Sequence, residues 1–211
     1  MLNPKVIIYD FDGVICDSVN VKTEAFVELY KNYGEEIQSQ VREYHLLNGG
    51  ISRFEKFRYF QSSLLKQEVS DHEINELGNQ FAALVKEKVI ASRYITGAYE
   101  FIKKNAFRKQ FICTGTPEDE IIEISERKGI SHFFQHLYGS PKIKTEIINI
   151  ILTQTSINKE DCIFFGDAMT DYNAAKICNI PFIGIKSPGT TFPDGTIIIN
   201  DFTSSILKLT V

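Results

Sequence analysis

Val6-Ile7-Ile8-Tyr9 is an unbroken apolar, β-favouring run that stops at the acidic turn Asp10-Phe11-Asp12-Gly13. Successive side chains of a strand point to opposite faces, so a strand with no polar position has to be covered on both. That is the situation of a parallel strand between two helical layers, and it sets what the rest of the chain must supply. After Gly13 the spacing is helical over 16–91. Phe26, Leu29 and Tyr30 lie on one stripe and Phe54, Phe57 and Tyr59-Phe60 on a second. Ser52 stands three residues before Glu55 and Ser70 three before Glu73, both capping-box spacings. Ile74, Leu77, Phe81, Leu84 and Val85 then make a long apolar face. From Thr96-Gly97 strand and helix alternate. The pattern predicts helix 97–104, strand 110–114, a helix from Pro117, a short strand near 134–138, helix 144–154 and strand 162–165. A helix near 171–178, strands 182–185 and 197–199, and a final helix from about Thr203 follow. The expected fold is α/β: a doubly wound parallel sheet built from 1–15 and 92–211, with an α-helical domain, 16–91, inserted after the first strand.

Composition narrows the function. With 23 Lys+Arg against 27 Asp+Glu, the net charge of −4 is too balanced for a nucleic-acid binder. Cys16, Cys113, Cys162 and Cys178 form no C-x-x-C pair, so neither a zinc ribbon nor a disulfide framework is signalled, and all four are expected to be reduced, structural thiols. The N-terminal apolar run ends at Asp10, short of a secretion signal, and no stretch approaches the roughly 18 apolar residues of a membrane span. These features lead us to expect a cytoplasmic protein with no membrane partner. They do not address its oligomeric state.

In a doubly wound sheet, ligands bind outside the carboxyl ends of the strands, so the informative residues are those just after each apolar run. Asp10 and Asp12 follow the first strand and, by strand alternation, are expected to emerge on one side and share a ligand or a proton. Thr114-Gly115-Thr116-Pro117 follows the second, offering a hydroxyl and a helix start suited to an anion. Gly166-Asp167-Ala168-Met169-Thr170-Asp171 follows the fourth, with two more carboxylates one helical turn apart, and Lys142 and Lys144 precede a helix nearby. So many carboxylates at one rim oppose folding unless a cation joins them. A hard divalent ion such as Mg²⁺, which takes oxygen ligands and bridges to phosphate, fits that need and points to phosphoryl transfer.

These residues, in this order, resemble the four motifs of the haloacid dehalogenase superfamily, in the branch whose helical cap follows the first motif and which includes phosphoglycolate phosphatases and β-phosphoglucomutases. The resemblance covers essentially the whole chain. It implies a Rossmann-like core and a phosphatase acting on a small phosphorylated metabolite. Asp10 would be the nucleophile that forms an aspartyl-phosphate and Asp12 the general acid/base. Mg²⁺ would be held by the Asp10 carboxylate, the Asp12 carbonyl and Asp167, with Asp171 either ligating or orienting the lysine. Thr114 and the lysine would bind the transferring oxygens, the lysine being Lys144 in preference to Lys142. Gly13 and Gly115 fall in the motif turns that would line the substrate. Relatives that act as dehalogenases lack the second aspartate, so Asp12 points to phosphate-ester chemistry.

The inserted domain would set the substrate. Arg53, after the Asn48-Gly49-Gly50 turn, is placed to meet an anionic group on the leaving portion, and Lys22 stands where the family's sugar-phosphate mutases carry a histidine. For Arg53, Lys56 and Lys22 the simpler expectation is a solvated helix face. Asp171 would equally stabilise a helix dipole, and His132 and His136 read as packing or surface residues. Two other functions use similar residues: a phosphomutase, which returns the phosphoryl group to its substrate, and a receiver-like phospho-acceptor domain. The missing histidine weakens the first, and the helical insertion and late G-D-x-x-x-D weaken the second.

Overall fold

The structure, a computed structural model, describes residues 3–207. Six parallel strands form one sheet in the order β3-β2-β1-β4-β5-β6, with β1 Val6–Tyr9, β2 Lys109–Pro117, β3 His136–Ser140, β4 Cys162–Gly166, β5 Phe182–Ile185 and β6 Ile198–Ile199. β1 is central, which is why all four of its side chains are buried. Ile7 and Tyr9 enter one core with Ile112 and Phe165, while Val6 and Ile8 enter the other with Phe111, Cys113 and Phe164. The first core is closed by α5 Ala98–Lys104 and α6 Glu118–Arg127, the second by α7 Lys144–Thr155 and α8 Met169–Cys178. Tyr9 stacks on Phe165 with centroids 5.6 Å apart, and its hydroxyl donates to Gln110 Oε1 at 2.8 Å, so the one polar atom of β1's core face is satisfied.

Between β1 and α5 the chain builds α1 Val19–Leu29, α2 Glu35–Leu47, α3 Arg53–Tyr59, a π-helical turn Phe60–Leu64 and α4 Asp71–Ala91. Phe26 gathers Phe57, Phe60, Phe81 and His45 within 4.2–5.7 Å, ring to ring, joining the two predicted stripes into one aromatic cluster. Ser70 and Glu73 form the expected reciprocal cap of α4, Ser70 N–H donating to Glu73 at 2.8 Å. Ser52 precedes α3 without making a side-chain cap, although the spacing to Glu55 is the same.

Several predicted boundaries move. β2 runs on to Pro117, which precedes α6 instead of opening it, and β3 lies two residues later than expected because its pairing with β2 extends to Ser140. The helix expected from Thr203 is, within the described residues, only a 3₁₀ turn at Ser205–Leu207; 208–211 lie outside them. Asp201 Oδ1 accepts from both the Thr203 N–H and hydroxyl, at 2.8 and 2.6 Å, a local turn that competes with helix initiation. No helix among the described residues is long and apolar enough to cross a membrane.

Candidate active site

The parallel sheet brings its strand ends to one rim, and the residues picked out there converge. Asp10 continues β1 by one ladder bond, its N–H donating to the Phe165 carbonyl at 2.9 Å, and is buried. Asp167 lies in the turn after β4, and Asp171 in the first turn of α8 accepts from the Ala168 N–H at 3.1 Å. Asp171 thus also holds its own helix start, as a dipole partner would. Carboxylate oxygens of Asp10, Asp167 and Asp171 all lie within 4.8 Å of one another. The Lys144 ammonium, at the start of α7, sits 3.2 Å from Asp10 and hydrogen-bonds Asp171. Lys142 points elsewhere, pairing with Glu118 at 2.9 Å on the surface.

Three buried carboxylates against one lysine leave negative charge unanswered. Burial, then Asp10 and Asp171, push the Asp167 carboxyl well above the usual range, with Ser187 and Lys144 opposing. Burial disfavours the charged Lys144, but Asp10 and Asp171 more than reverse this and hold it protonated. An oxygen-rich, buried, electron-rich cluster of this kind fits a hard divalent cation. Gly13 keeps it open. Its φ is +77°, and a Cβ there would run into the Asp167 carboxylate.

Asp12 does not share this cluster. The strand ends at Tyr9, and Asp12 lines the same cavity as Asp10, as expected, while standing outside the close group of three carboxylates. The Asp12 carboxylate accepts instead from Ser18 at 2.6 Å, Lys22 at 2.5 Å and Thr116 at 3.3 Å. Burial alone would raise its pKa, but the Lys22 charge and these three hydrogen bonds bring it below the ordinary value. Buried Thr114 and its neighbour Gly115 line the same cavity as Asp10 and Asp12.

The other wall of this cavity is helical, and it departs from the solvated faces expected. Lys22 bridges Asp12 and Thr116. Arg53 is 5% exposed, bound to Glu120 at 2.5 Å with its guanidinium 4.9 Å from the centre of the Phe81 ring. Lys56 is 2% exposed and donates to His45 Nδ1 at 2.8 Å. His45 and Ser187 also line the cavity and were not singled out from sequence. His45 sits at the end of α2, and its partner belongs to α3, so no local spacing could reveal the pair. His136 is exposed near Glu118 and His132 lies tilted against the Phe133 ring, both away from the cavity. All four cysteines are free and buried, and burial pushes the Cys16 thiol up to about 12.

Comparison with known proteins agrees with this geometry. Residues 7–185 match the haloacid dehalogenase-like hydrolase family. A phosphorylated carbohydrates phosphatase of Thermotoga maritima is 24% identical over 83% of this chain and 82% of its own. A phosphoglycolate phosphatase of Pseudomonas putida is 21% identical over 86% and 69%. Among solved structures, a β-phosphoglucomutase from Clostridium difficile superposes with a TM-score of 0.76 at 18% identity, covering 94% of this chain and 91% of that one. At that identity the likeness is one of fold.

Proposed function

This chain belongs to the haloacid dehalogenase-like hydrolase family, and we propose that it is a Mg²⁺-dependent phosphatase that hydrolyses a small phosphorylated metabolite through an aspartyl-phosphate on Asp10. The observation that carries the reading is the buried group of Asp10, Asp167 and Asp171, two of them paired with Lys144, beside an Asp12 carboxylate bound by Lys22. In this reading the core comprises 1–15 and 92–211, residues 16–91 act as a cap, and the enzyme works in the cytoplasm, where free thiols such as its four buried cysteines persist.

Asp10, Asp167 and Asp171, with the Asp12 backbone carbonyl, would hold the metal, which when bound supplies charge neutralisation to the phosphoryl oxygens. An Asp10 carboxylate oxygen attacks phosphorus and the ester oxygen leaves with the bonding pair. Lys144 and the Thr114 hydroxyl bind the transferring oxygens as charge builds on them. Asp12 is ionised while Lys22 holds it, but the negative charge of an arriving phosphate raises its pKa, so that it protonates the departing alkoxide. As a carboxylate again, it removes a proton from the water that cleaves the Asp10 acyl-phosphate. Gly13 and Gly115 let the backbone approach the phosphoryl group, and Arg53 and Lys22 border the leaving portion.

Phosphate release from sugar phosphates, nucleotides, phosphoglycolate and an aryl phosphate, with and without Mg²⁺, tests the proposal. Metal-dependent release by the wild type, abolished in a folded Asp10→Asn variant, is the expected result. Full activity in that variant would overturn the mechanism, and substrate isomerisation without phosphate release would point to a mutase.

A further inference from the structure

Among the described residues, Lys56 is the basic side chain lining the cavity that pairs with no carboxylate. Lys22 is paired with Asp12 at 2.5 Å, Arg53 with Glu120 at 2.5 Å, and Lys144 with Asp10 and Asp171. Among the described residues Lys56 has no carboxylate partner. Its one hydrogen bond runs to His45 Nδ1 at 2.8 Å, and its ammonium lies 5.6 Å from the centre of the Phe26 ring. Burial, then Lys22, drive its pKa down to about 7, with Lys144 adding to the effect and Asp12 and Asp167 opposing it. A buried ammonium without a counter-ion is costly to a fold, and such groups collect where a ligand supplies the missing charge.

His45 adds a second donor. Burial, then Lys56 and Lys22, push its pKa down to about 2, opposed by a hydrogen-bonding approach of the ring to the Val19 backbone, so the imidazole is neutral. When Lys56 is charged its ammonium can only donate, so Nδ1 accepts and the ring proton resides on Nε2. That nitrogen is buried and has no partner in good hydrogen-bonding geometry among the described residues. Both side chains line the cavity that also holds Asp10, Asp12 and Thr114. Arg53, the residue expected to meet an anion, is already engaged by Glu120 and Phe81.

We propose that Lys56 and His45 form a second anion site, which takes a carboxylate or phosphate on the leaving portion of the substrate while the strand-end carboxylates handle the phosphoryl group. The proposal rests on the phosphatase reading and narrows it: the substrate is a phosphate ester with a second anionic group. Such a group would bring Lys56 the counter-charge it lacks and accept from His45 Nε2.

Binding of non-hydrolysable ligands tests this independently of turnover. Titration calorimetry with Mg²⁺ present would compare 3-phosphonopropionate with 3-hydroxypropylphosphonate, a short pair in which a neutral hydroxymethyl group replaces the distal carboxylate. A longer pair, pentane-1,5-bisphosphonate and pentylphosphonate, tests for a distal phosphate. We expect the wild type to prefer the doubly anionic member of one pair by about tenfold or more, as a charge-assisted hydrogen bond provides. Lys56→Gln should reduce that preference to within about twofold. The pair preferred distinguishes carboxylate from phosphate. Equal affinities within both pairs in the wild type would overturn the proposal even if Lys56→Gln failed to fold, and so would a preference that survives in a folded Lys56→Gln. Hydrolysis of an aryl phosphate by the wild type tests the phosphatase reading separately, so failure of one is not failure of the other.

Discussion

Two buried lysines of the site, Lys144 and Lys56, should respond to substitution in opposite directions. Lys144 answers Asp10 and Asp171, and removing it leaves buried carboxylates facing one another. Lys144→Met should therefore destabilise the metal-free protein by about 3–5 kcal/mol, the usual cost of breaking a buried pair, read from urea unfolding. Lys56 answers nothing, so Lys56→Met should be more stable than wild type near neutral pH. The sign of its pH dependence follows from a folded pKa of about 7 against an unfolded value near 10.5. Between those values the unfolded chain binds more protons, so wild-type stability rises with pH by up to about 1.4 kcal/mol per unit, and the advantage of Lys56→Met should shrink from about pH 7 toward about pH 10. A difference between the two proteins that stays flat over that range would contradict the account. Sequence could nominate Lys22, Arg53 and Lys56 as basic residues near a turn, but not which would be neutralised. Lys22's partner Asp12 is ten residues away, and Arg53's partner Glu120 sixty-seven.

At the scale of elements, the site exists because loops from different strands and helices approach closely, and glycines permit it. Gly115, at the end of β2, lies so near the turn before α3 that a Cβ there would stand 2.6 Å from the Gly50 carbonyl. The neighbouring Gly49 carbonyl accepts from the Thr170 hydroxyl at 2.6 Å, tying the same turn to α8. Gly115→Ala should push the helical wall away from the sheet, raising KM several-fold for a small phosphate ester while leaving the circular-dichroism spectrum unchanged. Near-wild-type KM would show that the wall does not need this contact. The elements themselves were largely visible in the chain. β1 is legible in its continuous apolar run, β5 in the strand pattern of 182–185, and α4 in its cap and its stripe of Ile74, Leu77, Phe81 and Val85. The misplaced ends, β3 and the segment after Phe202, are those decided by long-range pairing or by a side chain's local turn, neither of which has a periodic signature.

For the whole molecule, the proposed metal site would link folding to cation binding through its crowded carboxylates. A ligand that binds only the folded state stabilises it by about 2.7 kcal/mol at a hundred times its dissociation constant, so Mg²⁺ should raise the melting temperature and a chelator reverse the rise. Asp167→Asn relieves the repulsion that lifts the Asp167 carboxyl. That variant should melt above the wild type without metal and lose its response to Mg²⁺, and an undiminished Mg²⁺ shift would remove Asp167 from the proposed metal set. Sequence alone determined that the sheet is parallel and doubly wound, because apolar strands alternating with amphipathic helices have few other ways to bury their faces. It also located the acidic strand ends, because chain direction in such a sheet puts them at one rim. Tertiary structure decided how charge is shared there: Asp12 parts from Asp10, Lys144 takes the buried position while Lys142 turns to Glu118, and Lys56 is left with His45. Coulombic pairing depends on distance through space and on burial, and neither quantity is written in the spacing of residues along a chain.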